Sequence, residues 1–365
     1  MTEATAKLFK TRTSRRSILK GLGVAAIGIS LSGKKYPAWA AEEKKLNLYN
    51  WDTYIGETTL EDFKEASGID VNMSLFATND ELFAKLRAGN PGFDVIVPGS
   101  EFVERMIQAN MLEPLDHAKI PNIKNVAPEF INDAPYDPGR KYSMPYTWLV
   151  IGIGYRKSKV KSTPDSWKVL FDSDEYKGRI AVMSDASELF RNCFKYLGHS
   201  LNDKSPELLK QAEALLIKQK HNIKSFHEDN GQDLLASGEV DVVMEYNGDI
   251  AQVMAEDDDL NFVVPKEGAM KQSDTLAIPK GAPHPENALA FINFILDAKV
   301  GAEISETIKY PSPNAAAVAL MPASYKDNPV IFPPADLMAK CEYPNYLGPE
   351  YSRMLEEAMT RLRAA

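Results

Sequence analysis

The residues of this chain that could do chemistry are mainly carboxylates. Asp185 and Glu188 stand three positions apart, so both lie on one face if a helix spans them. Paired acids can accept hydrogen bonds from a cation, or can transfer protons when one pKa is strongly raised. The five histidines are scattered, and neither of the two cysteines belongs to an activated Cys-His pattern. No nucleophile elbow, phosphate-binding loop or His-Glu-x-x-His sequence occurs, which favours a non-catalytic role.

The length and charge of the chain indicate an acidic protein built from more than one domain. Its 365 residues are more than a typical single core needs. Residues 1–40 carry eight Lys or Arg and one acid, so the net charge of -9 leaves -16 on the remainder. A surface of that sign repels nucleic acid and attracts cations. Cys193 and Cys341 could pair in an oxidising compartment, but their spacing does not decide this.

The first forty residues have the pattern of an export signal. Residues 14–20 read SRRSILK, which resembles a twin-arginine signal. The apolar run at 21–31 is too short for a membrane span, which needs about 20 apolar residues. Residues 38–40 form a small-x-small cleavage site, so we expect cleavage after Ala40 and a periplasmic mature protein.

Hydrophobic periodicity in the mature chain predicts an α/β protein. Strands at 46–51, 69–76 and 94–98 alternate with helices at 58–67, 80–87 and 101–109, an order that favours a mostly parallel sheet. An apolar strand at 149–155 leads to a second α/β region. Its predicted strands are 180–183, 240–246 and 262–265, and its predicted helices include 187–197, 206–218, 231–237 and one that starts at Ile250. A strand at 274–279 and helices at 285–296, 300–307 and 350–362 follow.

Seven stretches, in this order along the chain, resemble the periplasmic spermidine/putrescine-binding proteins of polyamine ABC transporters. They are 49–54 (YNWDTY), 93–100 (FDVIVPGS), 142–148 (YSMPYTW), 245–249 (EYNGD), 265–270 (PKEGAM), 274–279 (DTLAIP) and 310–314 (YPSPN). Each stretch alone is weak evidence for the resemblance, but the ordered set is strong evidence and covers essentially the whole mature chain.

The resemblance implies a type II periplasmic-binding-protein fold with two lobes. Each lobe would be a mostly parallel sheet flanked by helices, with the ligand in the cleft between the lobes. Residues 41–149 with 273–318 would form the first lobe, and residues 150–272 with 319–365 the second. The implied partners are a small polyamine, an inner-membrane ABC permease and the twin-arginine export machinery. A monomer is expected, with no cofactor, metal or nucleic acid.

The resemblance also implies a set of ligand-binding residues that mixes acids with aromatic rings. They are Trp51, Asp52, Tyr54, Ser100, Glu101, Asp185, Glu188, Tyr246, Asp249, Gln272, Asp274 and Tyr310. Such a mixture suits a polyamine, because buried ammonium groups need carboxylates and the methylenes pack on aromatic faces.

Purely structural roles remain open for several of these residues. Trp51 could pack in a core at a strand end, and Asp185 and Glu188 could supply negative charge at a helix N-terminus. Asp249 could cap the helix that starts at Ile250, and Asp274 could be a turn residue before a strand.

The chain also departs from the pattern of the family it resembles. Gln272 stands where a large aromatic is usual, and Tyr246 stands where tryptophan is common. Glu101 occupies a position that is usually aromatic or small, and Asp52 replaces a hydroxyl residue. Lys271 would repel amines if it pointed inward, and Pro344 stands where the spermidine-binding branch has a glutamine. The departures predict a more acidic and less aromatic site.

Three other functions stay open at this point. The same fold could bind another small organic cation or an amino-acid derivative. An exported enzyme could use Asp185 with Glu188, and a sensory protein could use the same closure to dock on a receptor.

Overall fold

The structure is a computed structural model that describes residues 42–132 and 134–365. The export signal predicted at 1–40 and its cleavage after Ala40 lie outside the described residues. Within these ranges the strands are β1 Lys45–Asn50, β2 Asp70–Leu75, β3 Val95–Ile96, β4 Ser143–Arg156, β5 Ile180–Met183, β6 Ile223–His227, β7 Val242–Tyr246, β8 Leu260–Val263 and β9 Lys271–Ala277.

The strands join in the order β2-β1-β3-β9-β4-β7-β5-β6, and β8 pairs with β4. β1 runs parallel to β2 and β3 at one end, and β5 runs parallel to β6 and β7 at the other. β9 is antiparallel to β3 and β4, and β4 is antiparallel to β7 and β8. The sheet is therefore mostly parallel at each end, and β4 and β9 connect the two ends.

β4 is long because its sequence is apolar on both faces. Thirteen of its fourteen positions carry hydrophobic, glycine or hydroxyl side chains or proline, and most are buried. Its first half, up to Val150, pairs with β9, and its second half pairs with β7 and β8. A bulge between Pro145 and Thr147 shifts the register, so Thr147 lies opposite Asp274.

The helices flank the sheet and connect its strands. They are α1 Thr59–Ser67, α2 Asn79–Arg87, α3 Ser100–Gln108, α4 Pro128–Asn132, α5 Lys168–Phe171, α6 Ala186–Tyr196, α7 Pro206–Gln219, α8 Gly231–Ala236, α9 Asn247–Met254, α10 Pro285–Ile295, α11 Ala298–Ile308, α12 Ala315–Leu320, α13 Ala323–Lys326, α14 Ala335–Met338 and α15 Pro349–Ala364. Short 3-10 turns occur at His117–Lys119, Pro121–Asn125, Pro138–Arg140 and Lys220–Asn222.

Separate hydrophobic cores lie under the two ends of the sheet. The core that we call the first contains Tyr49, Ile96, Val103 and Met106, and so holds β1, β3 and α3. The core that we call the second is larger and holds β5, α6, β7 and α15 through side chains such as Phe190. These cores agree with an α/β fold of two parts, although the exact lobe boundaries stay a prediction.

Most predicted elements are present, with ends that move by a few residues. β3 is only two residues long where five were predicted, and β4 starts six residues before the predicted strand. β6 was not predicted, because its sequence IKSFH has only two apolar positions. The short helices α12, α13 and α14 were not predicted either.

The structure also answers the question of cysteine pairing that the sequence left open. Cys193 and Cys341 are both buried and unpaired, so no disulfide joins them. Among the described residues, no helix combines the length and apolar character that crossing a membrane requires.

Candidate ligand-binding site

A cavity of about 860 Å³, counted to its open mouth, lies where β4 and β9 meet the helices of both cores. The loop after β1, the N-termini of α6 and α9 and the loop after β6 form its walls. Its lining is Trp51, Asp52, Thr53, Tyr54, Ala77, Thr78, Asn79, Leu149, Asp185, Glu188, Glu228, Asp229, Gln232, Tyr246, Asp249, Gln252, Gln272, Asp274 and Tyr310.

The lining is strongly acidic. It includes seven carboxylates, and none of its described members is a lysine, arginine or histidine. Four aromatic side chains, Trp51, Tyr54, Tyr246 and Tyr310, stand among the acids. Such a cavity favours a cation with apolar parts.

Asp274 lies in the floor of the cavity on β9. Its carboxylate accepts a hydrogen bond of 2.8 Å from the Tyr54 hydroxyl, which is 2.5 Å from the Thr147 hydroxyl. Burial raises the pKa of Asp274 to about 6, and the Tyr54 hydrogen bond opposes this shift. Because Asp274 lies inside a strand, the alternative of a turn residue is wrong.

Glu188 and Asp185 form an acidic corner at the start of α6. Asp185 caps the helix, since the Glu188 backbone N–H donates to its carboxylate at 2.9 Å. The Glu188 carboxylate accepts hydrogen bonds from Tyr246 at 2.6 Å and from Gln272 at 2.9 Å. Burial, together with the charge of Asp185, raises the pKa of Glu188 well above its usual range. Asp185 and Glu188 therefore lie at the helix N-terminus and also line the cavity.

Asp249 and Asp229 form a second acidic corner beside α9, where Tyr310 contacts Asp249. Burial and the charge of Asp229 raise the pKa of Asp249, and a hydrogen bond with Tyr310 opposes this shift. α9 starts at Asn247, so Asp249 lies inside its first turn and the predicted N-cap at Asp249 is wrong. A Cβ on Gly248 would stand 2.3 Å from the Tyr310 ring, so only glycine lets this ring approach the helix so closely.

The loop after β1 presents aromatic and acidic groups to the cavity. Trp51 is partly buried, packs on Phe76 at 4.3 Å between ring centroids, and donates its indole N–H to the Val97 carbonyl at 2.9 Å. Trp51 therefore packs against the first core and also lines the cavity. Thr53 has φ of 52°, a region that β-branched residues avoid, and this strained turn separates Asp52 from Tyr54.

Asp52 and Asp229 carry like charge at the mouth of the cavity. Both side chains are exposed at the surface and line the same cavity from different parts of the fold. Partial desolvation, followed by the charge of Asp52, raises the pKa of Asp229. The two carboxylates therefore repel each other when nothing lies between them.

Ten of the twelve predicted residues line the cavity, and Ser100 and Glu101 do not. The Ser100 hydroxyl is buried and has no hydrogen-bond partner among the described residues. Glu101 accepts a hydrogen bond from Ser187 and pairs with Arg191 at 3.3 Å. Lys271 lies over the Tyr343 ring, 5.1 Å from its centroid, and neither Lys271 nor Pro344 lines the cavity.

Sequence reasoning missed several polar residues of the lining. Glu228 and Asp229 come from the segment between β6 and α8, Gln232 comes from the first turn of α8, and Asn79 and Gln252 come from α2 and α9. Since β6 was not predicted, its C-terminal end could not be placed at the cavity. Correct assignment of that strand is the signal that would have found Asp229, because polar residues after parallel strands collect at one sheet edge.

The residues described by the structure hold no group of three or more His, Cys, Asp or Glu side chains arranged for a metal ion. The acids of the cavity instead bond to tyrosine hydroxyls, an amide or backbone N–H groups, as at Asp274, Glu188 and Asp185. This leaves carboxylate oxygens available to accept hydrogen bonds from a ligand.

Comparison with known proteins identifies the family. A family described as bacterial extracellular solute-binding protein matches residues 58–333. The chain belongs to this family. The solute-binding protein is 33% identical over 362 residues to the putrescine-binding periplasmic protein SpuD of Pseudomonas aeruginosa, covering 94% of this chain and 98% of SpuD.

Sequence and structure comparisons both find further relatives of this solute-binding protein that are named for polyamines. It is 34% identical over 348 residues to the spermidine/putrescine-binding periplasmic protein of Salmonella typhimurium, covering 95% of this chain and 97% of that protein. Its fold matches the spermidine/putrescine ABC transporter substrate-binding protein PotD of Streptococcus pneumoniae with a TM-score of 0.79 and 30% identity, covering 88% and 99% of the two chains. The predicted periplasmic solute-binding fold is thereby confirmed.

Proposed function

We propose that this chain is the periplasmic substrate-binding component of an ABC importer, which captures putrescine or spermidine and delivers it to a membrane permease. The observation that carries the proposal is the lining of the cavity, with seven carboxylates, four aromatic rings and no basic side chain among its described members. Relatives of the chain are named for putrescine and spermidine binding, which supports the same ligand class.

The arrangement of the acids suits an amine with separated charges. One acidic corner holds Asp185 and Glu188, another holds Asp249 and Asp229, and Asp274 lies in the floor. Each ammonium group needs several acceptors once it leaves water, and carboxylates provide the strongest of them.

The aromatic rings account for the methylene segments of such a ligand. Tyr54 and Tyr310 pack edge to face with ring centroids 5.1 Å apart, so they present a rigid apolar wall. Trp51 and Tyr246 are only partly buried and add ring surface to the cavity. We propose that the ten predicted residues that line the cavity contact the ligand.

The transport cycle that we propose is hinge closure. Residues 41–149 with 273–318 would move as one lobe, and residues 150–272 with 319–365 as the other. β4 and β9 would serve as the hinge, because β9 pairs with β3 at one end of the sheet, β4 pairs with β7 and β8 at the other, and the two strands pair with each other. Closure would bring acids from both lobes onto the amine, and the permease would recognise the closed form.

We also propose export through the twin-arginine pathway, with cleavage after Ala40 and a monomeric protein in the periplasm. The SRRSILK sequence at 14–20 and the periplasmic relatives support this route. Replacement of Arg15 and Arg16 by lysine should keep the protein in the cytoplasm, which cell fractionation would detect. Periplasmic accumulation of that variant would contradict the proposed route.

Calorimetric titration of the protein from Ala41 onward with putrescine, spermidine and spermine tests the function. We expect saturable binding of at least one of them, and a large loss of affinity in Asp274→Asn. Asp258→Asn is the matched control, since it removes one negative charge from an exposed residue outside the cavity. We expect it to bind like the wild type.

The titration separates the alternatives. No heat and no thermal shift with any of the three polyamines would refute the proposal and point to another small organic cation or an amino-acid derivative. Equal losses in Asp274→Asn and Asp258→Asn would show that only overall charge matters and that Asp274 is no specific contact.

A further inference from the structure

α3 and α6 belong to different hydrophobic cores, and Glu101 lies between them. α3 packs in the first core through Val103 and Met106, and α6 packs in the second core through Leu189 and Phe190. A contact between these helices therefore joins the two parts of the fold that we propose to move against each other.

Glu101 makes that contact with both oxygens of its carboxylate. The Ser187 hydroxyl donates to Oε2 at 3.2 Å, and Arg191 donates from Nη2 to Oε1 at 3.3 Å. The same Nη2 also donates to the Asn345 carbonyl at 3.0 Å. Glu104, one helical turn further along α3, accepts from the Tyr346 backbone N–H at 2.8 Å.

The Glu101–Arg191 pair is shielded from water. The side chain of Arg191 is 1% exposed and that of Glu101 is 14% exposed. Arg191 Nε and Nη1 have no hydrogen-bond partner among the described residues, and Glu101 is the acid with which Arg191 forms an ion pair through Nη2. A shielded pair of this kind is weakened strongly when one member is displaced.

Ser187 links this contact to the ligand site. It lies between Asp185 and Glu188 in the first turn of α6, and both of these acids line the cavity. Glu101 does not line the ligand cavity but lines a neighbouring one, which shares Asp185, Glu188 and Gln272 with it. Glu101 can thus hold the first turn of α6, with its acids Asp185 and Glu188, from the side of the neighbouring cavity and without contact to the ligand.

We propose that Glu101 is a positioning residue whose contacts with Ser187 and Arg191 hold α6 against α3, and that these contacts slow amine release from the closed protein. This inference rests on the proposed polyamine function. Release requires the two cores to separate, whereas capture occurs from the open form, so the contact acts on the dissociation rate.

Matched variants separate this role from simple attraction between a carboxylate and an amine. Glu101→Asp keeps the charge but shortens the side chain, and Ser187→Ala removes one hydrogen bond with no change in charge. Glu356→Gln removes a charge from the same neighbouring cavity, and in the described part of the chain no hydrogen bond or ion pair joins Glu356 to Glu101, Ser187 or Arg191.

Stopped-flow kinetics with putrescine and spermidine provide the first measurement. We expect the dissociation rate to rise about tenfold in Glu101→Asp and several-fold in Ser187→Ala, with association rates nearly unchanged. Glu356→Gln should keep the wild-type dissociation rate. Unchanged dissociation in Glu101→Asp, or a rise only in Glu356→Gln, would overturn the inference.

Hydrogen–deuterium exchange without ligand provides a readout that survives failure of the polyamine proposal. Peptides that contain residues 185–191 and 343–347 should exchange faster in Glu101→Asp than in the wild type, at equal melting temperature or after correction for it. Unchanged exchange both without ligand and with saturating putrescine or spermidine would refute the contact itself. Faster exchange in a protein that binds no polyamine would instead uphold the contact and refute the proposed ligand.

Discussion

At the scale of single residues, Asp274 shows the conflict between ligand binding and stability. Its side chain is buried, and its pKa is raised to about 6 although Tyr54 donates a hydrogen bond to it. A carboxylate whose pKa is higher in the folded than in the unfolded protein destabilises the empty fold. This cost is absent below pH 4, develops between pH 4 and 6, and is complete above pH 6.

Asp274→Asn should therefore stabilise the ligand-free protein while it weakens binding. An amide can still accept the Tyr54 hydrogen bond but carries no charge to desolvate. We expect a gain of about 1–3 kcal/mol in the free energy of unfolding at pH 7.5. Polyamine affinity should fall about 100-fold.

Urea denaturation at pH 7.5 and pH 4 measures the stability part of this prediction. The gain should shrink at pH 4, because Asp274 of the folded wild type is then protonated and carries no buried charge. A variant that is less stable than the wild type at pH 7.5 would contradict the assigned role of the buried charge.

Polyamine affinity should also depend on pH through the raised carboxylate pKa values. Asp274 takes up a proton below about pH 6, and burial also raises the pKa of Glu188. The amine stays protonated throughout, so acid removes only the partner charges. If one carboxylate takes up a proton, we expect Kd to rise about tenfold for each pH unit below 6, and further if a second carboxylate does so. Titrations between pH 5 and 8 would check this, and constant affinity across that range would contradict it.

The sequence identified most of the cavity at this scale because the resemblance supplied ordered motifs. It could not show that Glu101 turns toward Arg191 and Ser187, since those partners are more than 80 positions away. It could not find Asp229 either, because a polar segment after an unrecognised strand has no distinctive pattern.

At the scale of elements, the first turn of α9 depends on one glycine. Gly248 lies against the ring of Tyr310, and a Cβ there would stand within 2.5 Å of three ring atoms. Tyr310 in turn contacts Tyr54 and bonds to Asp249. The position of an aromatic wall thus depends on the absence of one methyl group.

Gly248→Ala should displace Tyr310 and lower polyamine affinity by about tenfold or more, although alanine stabilises helices by about 1 kcal/mol relative to glycine. Titration calorimetry of this variant measures the loss. The double variant with Tyr310→Leu is the control. If the clash causes the loss, Gly248→Ala should add little to the effect of Tyr310→Leu. Full additivity of the two effects would contradict a shared cause.

Regular elements were predictable from the sequence where their periodicity is strong. α1 ends at Ser67, directly before Gly68, and α7 begins at Pro206, as the glycine and proline at these positions indicate. The bulge in β4 at 145–147 was not predictable, because it depends on pairing with β9 more than 120 positions away. α12, α13 and α14 are too short, at four to six residues, to show a period.

At the scale of the whole molecule, β4 and β9 are the strands on which the proposed closure would turn. Both strands lie in the sheet between the two cores, and the cavity lies beside the region where they pair. The sequence predicted a crossing strand from its apolar run, whereas the pairing of β4 with β9 needed the structure.

Ligand binding should reduce the radius of gyration of the protein, because closure of two lobes shortens it. Small-angle X-ray scattering with and without saturating putrescine or spermidine measures this change. Asp274→Asn at the same amine concentration is the control and should stay closer to the open value. Equal radii for bound and free wild type would contradict hinge closure.

The pair of carboxylates at the cavity mouth has a consequence for unloading. Asp52 and Asp229 line the cavity from different parts of the fold and repel each other when the cavity is empty. A closed protein that has handed over its amine is thus under electrostatic tension, which is relieved when the walls separate. In the proposed cycle this repulsion would favour reopening, so the departure of each cation would help to reset the receptor for the next round.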